Sequence, residues 1–309
     1  MIIDGKKIAG DIKVGLAKKA KDFERKNGRK CGLAIIIVGD DEASKIYVSK
    51  KEQSCVEVGV RSVVHRLPRD TKEPEVLSLI EKLNNDKTID GILVQLPLPP
   101  HIDEIKTIEA ISPDKDVDGF TAVNAGKLSI GYPCMVPCTA IGVIELIKST
   151  GALVKGSQQQ LRAPSGKSDT NLLKNSAKDS KVAVREPFTS APHAVVVGRS
   201  NIVGKPVAKL LLNHDCTVTI AHSKTKDLGA VTRLADILVV AVGRKNLVTK
   251  DMVKPGAVVI DVGINRDGGQ IFGDVDFDEV KKVAGYITPV PGGVGPMTVA
   301  CLLKNVLSV

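Results

Sequence analysis

The feature that most constrains the fold is the alternation of short apolar runs with segments of helical periodicity, which continues through most of the chain. Runs such as LAIIIVG at 33–39 and GILVQLPLP at 91–99 are short, rich in branched residues and bounded by glycine or proline, which is typical of buried strands. The segments between such runs, for example ASKIYVSKKEQSCVEV and EPEVLSLIEKLN, have the spacing of helices. This alternation predicts parallel sheets joined by right-handed crossovers, and therefore an α/β fold.

The apolar runs form two series. The first comprises LAIIIVG, VRSVVHRLP and GILVQLPLP and ends with a helical segment, TAIGVIELIKSTG, which closes at Gly151. The second comprises HAVVVG, CTVTIAH, ILVVAVG and GAVVIDVG, with GKPVAKLLLNH and TKDLGAVTRLA as helices between them. A chain of 309 residues is long enough for two domains, each with its own core. The sequence therefore predicts two α/β units followed by a short amphipathic helix, GPMTVACLLKNVLSV.

Residues 157–191 separate the two series. They are rich in Ser, Lys, Gln and Asn and lack sustained periodicity, which predicts a long, mobile surface loop. The segment enters the amino end of the strand that follows it, whereas open α/β sheets bind ligands outside the carboxyl ends of their strands. We therefore expect this insertion to lie away from the ligand site.

Composition limits the classes of protein that remain. With 43% apolar and 26% charged residues, the chain is globular rather than disordered. It has no apolar run near the ~20 residues that span a bilayer, and its first residues lack the apolar core of a secretory signal. Six scattered cysteines suit reduced thiols, and the CMVPC pair has no second Cys/His pair to complete a metal site. We therefore expect a cytoplasmic protein that binds neither membranes nor metals.

The net charge of +9 raises the question of a nucleic-acid partner. Aromatic residues that could stack on bases make up only 3% of the chain, and its basic residues form no dense cluster. The charge is better explained by an enzyme that binds small anionic ligands. We expect no nucleic acid as a partner.

The segment HAVVVGRSNIVGKPVAKLLL has the order strand, glycine turn and helix, which directs backbone N–H groups and a helix dipole at a phosphate. Its match to GxGxxG is imperfect. Gly198 matches the first glycine, Ser200 replaces the second, and Gly204 lies one residue late. By itself, this turn fits a dinucleotide site and an ordinary α/β connection equally well.

The next strand distinguishes the two nicotinamide cofactors. A site for NAD usually ends this strand with Asp or Glu, which binds the ribose hydroxyls. Here the strand ends in His222, Ser223 and Lys224, and Arg199 lies in the glycine turn. Arg199 alone could be a solvated loop residue, but together with Ser223 it favours the extra phosphate of NADP.

The stretch IYVSKK at 46–51 contains two adjacent lysines that a helix separates. By helical geometry, Lys51 falls in the middle of a stripe made by Tyr47, Cys55 and Val58, which predicts that it faces inward. Lys50 turns to the side occupied by Ile46 and Glu57 and is expected to face outward. The pattern alone favours a structural role for Lys51, in which its methylenes cover apolar surface and its ammonium reaches water.

A set of motifs spread along the chain resembles the bifunctional methylene-tetrahydrofolate dehydrogenase/cyclohydrolase family. In order, they are YVSKK, GILVQLPLP, PDKDVDGF, NAGKL, PCTAIG, VVVGRSNIVGKP, HSKT, VVAVG, VIDVGIN, GDVDF and ITPVPGGVGPMT. They cover nearly all of residues 1–156 and 192–309. The insertion at 157–191 is the main departure, because the family runs almost directly from the preceding helix into the HAVVVG strand.

The resemblance implies a homodimer whose subunit has two domains. The folate-binding catalytic domain would comprise residues 1–147 together with the C-terminal segment 288–309, whose helix returns to it. A Rossmann-like NADP-binding domain would comprise residues 148–287, including the insertion. Tetrahydrofolate one-carbon derivatives, with or without a polyglutamate tail, would bind in the cleft between the domains.

Family resemblance also implies the site residues. Its essential lysine falls on Lys51, its folate-facing tyrosine on Tyr47, the glutamine that contacts the lysine on Gln95, and the aspartate that holds the pterin on Asp118. These four are the implied catalytic residues, and Tyr47, Gln95 and Asp118 are also implied to bind the substrate. The other implied substrate contacts are Leu96, Pro97, Pro291, Gly292 and Gly293. The implied cofactor contacts are Thr139, Gly198, Arg199, Ser200, His222, Ser223, Gly243, Ile264 and Thr298.

Structural alternatives remain open for several of these positions. Asp116 could replace Asp118 as the ligand, and Asp118 could be a turn residue of DVDG. Gln95 could satisfy backbone groups at the end of a strand, and Tyr47 could be core packing. The glycines of PGGVG could form only a turn, although they would also allow flat rings to approach closely.

The implied chemistry has two steps. Transfer of a hydride from the methylene bridge to NADP⁺ requires alignment of two rings, and no side-chain acid or base is obligatory. Attack of water on the methenyl bridge, which gives 10-formyl-tetrahydrofolate, requires a group that exchanges protons near neutrality. Lys51, desolvated beside a cationic substrate, is expected to have a lowered pKa, with Gln95 as its partner. The alternatives are a dehydrogenase without cyclohydrolase activity and an inactive folate- and NADP-binding protein.

Overall fold

The computed structural model describes residues 1–153 and 191–308. Nearly all of the predicted insertion, residues 157–190, lies outside the described residues. Within them, no helix is long and apolar enough to cross a membrane.

The first part of the chain forms a three-stranded parallel sheet with strand order β2-β1-β3. The elements of this part are α1 (Gly5–Asn27), β1 (Gly32–Val38), α2 (Glu42–Val58), β2 (Arg61–Leu67), α3 (Glu73–Asn85), β3 (Gly91–Val94), α4 (Glu104–Glu109), α5 (Ala122–Ser129) and α6 (Cys138–Ser149). All seven residues of the central strand β1 are buried. Leu33 and Ile35 pack into one core cluster and Ala34 and Ile36 into another, so helices cover both faces of the sheet.

The second part forms a five-stranded parallel sheet with strand order β10-β7-β6-β4-β5 and an antiparallel hairpin, β8-β9. A 3₁₀ turn at Lys250–Met252 precedes β7. The elements of this part are β4 (His193–Val197), α7 (Gly204–Leu212), β5 (Thr217–Ala221), α8 (Leu228–Thr232), β6 (Ile237–Val240), β7 (Val258–Asp261), β8 (Asn265–Asp267), β9 (Gln270–Phe272), α9 (Phe277–Val280), β10 (Tyr286–Ile287) and α10 (Val294–Val306). The predicted α/β fold with two parallel sheets is confirmed.

Both ends of the chain join the two parts. Helix α10 packs against α1 and α2 as well as α6, so the predicted return of the C-terminal helix is confirmed. Asn305 of α10 donates from Nδ2 to the carbonyl oxygens of Val117 (2.8 Å) and Val136 (2.9 Å). At the other end, the N–H of Ile3 donates to the carbonyl of Ile287 in β10. The exact domain boundaries stay a prediction.

Two of the predicted elements differ most in length from those observed. The strand predicted at 91–99 ends at Val94, because the prolines that follow have no N–H to donate to a neighbouring strand. The helix predicted at 225–235 spans only α8, because Asp227 has a left-handed backbone (φ 48°) and caps the helix at that point. Helix α1, the hairpin and the shorter helices were not predicted.

Candidate active site

Helix α2 orients the two adjacent lysines differently. The helix begins after Asp41, whose carboxylate accepts from the Ser44 N–H, and ends at Gly59 (φ 92°). Lys51 is half-buried and its Nζ donates to Gln95 Oε1 over 2.9 Å. Lys50 is exposed. These orientations agree with the helical pattern of the sequence.

The backbone N–H of Gln95 and both polar atoms of its side-chain amide have hydrogen-bond partners. Its backbone N–H donates to Ile36 O at the end of the parallel pairing, and its Nε2 donates to Leu96 O (2.7 Å). The amide is therefore fixed with Oε1 towards Lys51. The proposed structural role at the strand end and the contact with the lysine are both present.

Asp116 holds a turn. It is 1% exposed, and its Oδ2 accepts from the N–H and Oγ1 of Thr121 and from Asn124 Nδ2. These three donors, all within 3.0 Å, fix the start of helix α5. Asp116 has little capacity left to bind a ligand, which favours Asp118 over it.

Asp118 lies near the lysine instead. Burial among protein atoms raises the pKa of this carboxyl, the charge of Lys51 opposes the rise, and the charge of Asp116 adds to it. The Cys138 Sγ lies 3.7 Å from Asp118 Oδ1. Lys51, Gln95 and Asp118 therefore form one polar group at the carboxyl end of the first sheet, an arrangement that can bind a polar ring edge and exchange protons.

A cleft of about 630 Å³ lies between helices α1 and α2 and the segment before α10. It brings together five of the predicted site residues, Tyr47, Ile264, Pro291, Gly292 and Gly293, and its wall also contains Lys6, Lys13 and Lys50. The glycine loop packs closely on α1, since a Cβ added to Gly5 would overlap with the carbonyl of Gly293.

Thr139 and Thr298 lie against each other where helices α6 and α10 pack. Thr139 lies in the first turn of α6, directly after Cys138, and Thr298 lies in the first turns of α10. Their hydroxyl oxygens are 3.2 Å apart. The peptide bonds before Pro97 and Pro291 are both cis.

The remaining predicted cofactor residues follow the carboxyl ends of β4, β5 and β6. Gly198 has φ 126°, and a Cβ added there would overlap with the carbonyl of Ala241. A Cβ added to Gly204 would likewise overlap with the carbonyl of Gly198. The close approach of strand, turn and helix therefore requires glycine at both positions. Ser200 Oγ accepts from the N–H groups of Val203 (3.2 Å) and Gly204 (3.3 Å) and so holds the turn that leads into helix α7.

The end of β5 is free of acidic side chains, as its sequence indicates. The N–H of His222 donates to Thr225 Oγ1 (2.8 Å), and His222 Nδ1 accepts from the N–H of Lys224 (3.2 Å). Ser223, like Arg199 and Ser200 at the end of β4, is exposed and accessible to an anion. Gly243, after β6, is also exposed and left-handed (φ 64°).

The sequence did not reveal three polar groups near the site. Cys138 contacts Asp118, and Asp261 and Asp274 are buried beneath the loops that carry Ile264 and Gly243. The motifs VIDVGIN and GDVDF contain the two aspartates, but nothing in those motifs indicates that their carboxyls face inward.

Comparisons with known proteins identify the family of this chain. The family model described as "Tetrahydrofolate dehydrogenase/cyclohydrolase, catalytic domain" matches residues 3–118, and the model for the NAD(P)-binding domain of that family matches residues 182–309. The chain belongs to the tetrahydrofolate dehydrogenase/cyclohydrolase family. It is 51% identical over 307 residues to the bifunctional protein FolD of Listeria innocua, covering 99% of this chain and 95% of that protein.

Solved structures of this family have the same fold. The bifunctional FolD enzyme of Campylobacter jejuni is 42% identical with a TM-score of 0.86, over 100% of this chain and 97% of that one. The dehydrogenase-cyclohydrolase of Trypanosoma brucei, solved with NADP and an inhibitor, is 37% identical with a TM-score of 0.84, over 100% and 96% of the two chains.

Proposed function

We propose that this chain oxidises methylene-tetrahydrofolate with NADP⁺ and hydrolyses the methenyl product to 10-formyl-tetrahydrofolate, with Lys51 as the residue that exchanges protons in the second step. Its identity of about half to bifunctional relatives supports both activities. The observation that carries the assignment of Lys51 is the 2.9 Å hydrogen bond from its Nζ to Gln95 Oε1 beside Asp118.

Positioning is what the dehydrogenase step requires of the chain. The glycine loop at Gly292 and Gly293 and the ring of Tyr47 line the same cleft, so they are available to hold the flat parts of a folate. Leu96 and Pro97 follow Gln95 at the edge of the first sheet. Because the folate nitrogen provides the electron pair that expels the hydride, alignment rather than a side-chain base is the main contribution of these residues.

For the cyclohydrolase step, a water molecule attacks the cationic methenyl bridge and a proton must leave that water. A lysine amine within reach of the bridge can accept this proton and return it to the ring nitrogen as the ring opens. Gln95 Oε1 orients the amine, and Asp118 provides a carboxyl for the polar edge of the pterin.

The residues at the carboxyl edge of the second sheet fit NADP. Gly198 must be glycine, because any side chain there would overlap with Ala241. The turn that leads into α7 therefore has no side chain at this position, and an anionic ligand can approach its backbone. Arg199 and Ser223 would bind the extra phosphate, with Ser200 and His222 beside them, while Thr139, Gly243, Ile264 and Thr298 would lie towards the nicotinamide. The chemistry that bound NADP⁺ supplies is acceptance of the hydride.

A homodimer and a cytoplasmic location also belong to this proposal. Strand β5 is an edge of the five-stranded sheet, and its Ile220 is 41% exposed, as is suitable for an interface between subunits. Sedimentation of the purified protein at micromolar concentration tests the dimer. All six cysteines are free thiols, which supports a reducing compartment.

The decisive experiment is an assay of purified protein with methylene-tetrahydrofolate, in which NADP⁺ and NAD⁺ are compared. We expect NADPH to form together with 10-formyl-tetrahydrofolate, with NADP⁺ preferred. Accumulation of the methenyl compound as the end product would indicate the alternative, a dehydrogenase without cyclohydrolase activity. Absence of NADPH formation would indicate a binding protein and would refute the proposal.

A further inference from the structure

Two buried carboxylates lie beneath the proposed cofactor loops and take no part in the chemistry above. Asp261 is the last residue of β7, and Asp274 follows β9. Their exposed fractions are 3% and 0%. A buried carboxylate is costly unless it is hydrogen-bonded, so the groups that these two carboxylates bind indicate what they do.

Asp274 gathers the loop that follows β6. Its Oδ2 accepts from the N–H groups of Val242 (2.7 Å) and Gly243 (2.9 Å), and its Oδ1 accepts from the N–H of Arg244 (2.7 Å) and from Asn265 Nδ2 (2.9 Å). Successive backbone N–H groups that converge in this way form an anion-binding nest. Here the chain fills the nest with its own carboxylate.

Asp261 holds the backbone of Asp274. Its Oδ1 accepts from the N–H groups of Gly263 (2.9 Å) and Asp274 (3.0 Å), and its Oδ2 accepts from the N–H of Val275 (2.9 Å). The two carboxylates therefore act in series: β7 fixes the position of Asp274 through Asp261, and Asp274 fixes the loop at 242–244.

The two carboxyls leave room only for glycine at two neighbouring positions. A Cβ added to Gly263 would overlap with the Asp274 carboxyl, and one added to Gly273 would overlap with the Asp261 carboxyl. The packing therefore leaves no room for a side chain at either position, and the arrangement of loops and carboxylates is a close-fitting unit.

We propose that Asp274, held by Asp261, is a positioning residue for the NADP-binding loop at 242–244, and that its contribution is specific to the dehydrogenase step. This inference rests on the proposed function, which assigns Gly243 to the cofactor. The N–H groups of the loop bind Asp274, and the C=O of a trans peptide points away from its N–H, so we expect the loop to offer carbonyl oxygens rather than N–H groups to a ligand. It therefore suits a hydrogen-bond donor, such as the carboxamide of nicotinamide, rather than a phosphate.

The test uses Asp274→Asn, which keeps the shape of the side chain but turns one acceptor into an amide group that faces N–H donors. Loss of such charge-assisted hydrogen bonds is expected to raise the Kd for NADPH, measured by its fluorescence, by about tenfold or more. kcat/KM for NADP⁺ should fall by a similar factor. Cyclohydrolase activity, assayed with methenyl-tetrahydrofolate and no cofactor, should stay within about twofold of wild type.

The matched control is Asp278→Asn in α9. It makes the same change of charge at a side chain that is 81% exposed and pairs with Lys281 across one helical turn. We expect NADPH binding and both activities of this variant to equal those of wild type.

Equal loss of both activities in Asp274→Asn, or unchanged NADPH binding, would overturn the inference. If that variant does not fold, Asn265→Ser removes one donor from Asp274 while keeping the carboxylate, and it should weaken NADPH binding several-fold with the cyclohydrolase unchanged. Unchanged binding there would also overturn it. Failure of the wild-type protein to reduce NADP⁺ would instead refute the proposed function, so the two failures are distinguishable.

Discussion

Replacing Lys51 with methionine is expected to separate the two proposed activities. The substitution keeps the length and the apolar stem of the side chain and removes the amine whose Nζ donates to Gln95 Oε1 over 2.9 Å. Hydride transfer requires two aligned rings and no proton from Lys51, whereas attack of water on the methenyl bridge requires a nearby group that accepts and returns protons. The cyclohydrolase step should therefore suffer far more.

The expected magnitude has two components. Loss of a general acid/base lowers cyclohydrolase kcat by about 100-fold or more, equivalent to about 2.7 kcal/mol of activation free energy. Gln95 Oε1 also loses its donor, which lowers the free energy of unfolding by about 1 kcal/mol but does not discriminate between the two activities. Removal of the positive charge lets the pKa of Asp118 rise further above its usual value, because the charge of Lys51 opposes the rise caused by burial more strongly than the hydrogen bond from Cys138 does. Any residual activity should therefore have a pH profile shifted towards higher pH.

The assay follows NADPH formation and methenyl absorbance separately. Because the second step is slowed, the Lys51→Met variant should accumulate the methenyl compound. Lys50→Met is the matched comparison, because this lysine is the exposed neighbour on the same helix. Its kcat should stay within about twofold of wild type for both steps, although Lys50 lines the cleft and its loss can change KM. Equal loss of both activities in Lys51→Met, or a larger cyclohydrolase loss in Lys50→Met, would refute the reasoning.

Three further changes test other parts of the structure. Arg199→Ala should raise the KM for NADP⁺ by about tenfold or more and leave that for NAD⁺ nearly unchanged, because one charge-assisted contact with the extra phosphate is lost; steady-state kinetics with equal effects on both cofactors would contradict the assignment. Gly198→Ala should destabilise the fold by about 2 kcal/mol or more in urea unfolding, since its Cβ overlaps with Ala241 O at a positive φ; a stability equal to wild type would mean that the turn is not as close as described. Burial raises the pKa of Asp261 from 3.8, its value in the unfolded chain, to about 6 in the folded protein, so folding favours the protonated carboxyl. Its contribution to stability is fully present below the unfolded pKa and is lost as the pH rises through the folded pKa. Asp261→Asn should therefore flatten the decline of unfolding free energy between about pH 4 and pH 7 by up to about 3 kcal/mol relative to wild type, and an unchanged slope in urea titrations would count against the raised pKa.

The sequence predicted the parts of the fold in which local pattern and tertiary environment agree. Strand β1 has an unbroken apolar sequence because both of its faces are buried, and its short length, branched residues and bounding glycines identify it as a strand. Helix α1 was not predicted because lysines and other polar residues interrupt its apolar positions, and only four of its 23 residues are buried, namely Gly5, Ala9, Leu16 and Ala20. Its place is fixed by contacts distant in sequence, such as Gly5 against Gly293.

The candidate site was predictable in a similarly uneven way. Helical geometry was sufficient to turn Lys51 inward, but the choice between Asp116 and Asp118 depended on which carboxyl the Thr121 and Asn124 donors bind. That information lies in three-dimensional hydrogen bonding, and spacing in DVDG does not contain it. The roles of Asp261 and Asp274 depend on loops that meet only after the second sheet has formed.

The contact of Gly5 with the glycine loop has a consequence for the order of events during protein synthesis. Helix α1 is synthesised well before Gly293 and α10, with both sheets between them in the chain, so one wall of the cleft is made long before the other. The N–H of Ile3 similarly has no hydrogen-bond partner until Ile287 of β10 has been made. Until Gly293 and α10 have been made, a nascent chain therefore lacks one wall of the cleft, and a ligand that binds in the cleft cannot yet stabilise it.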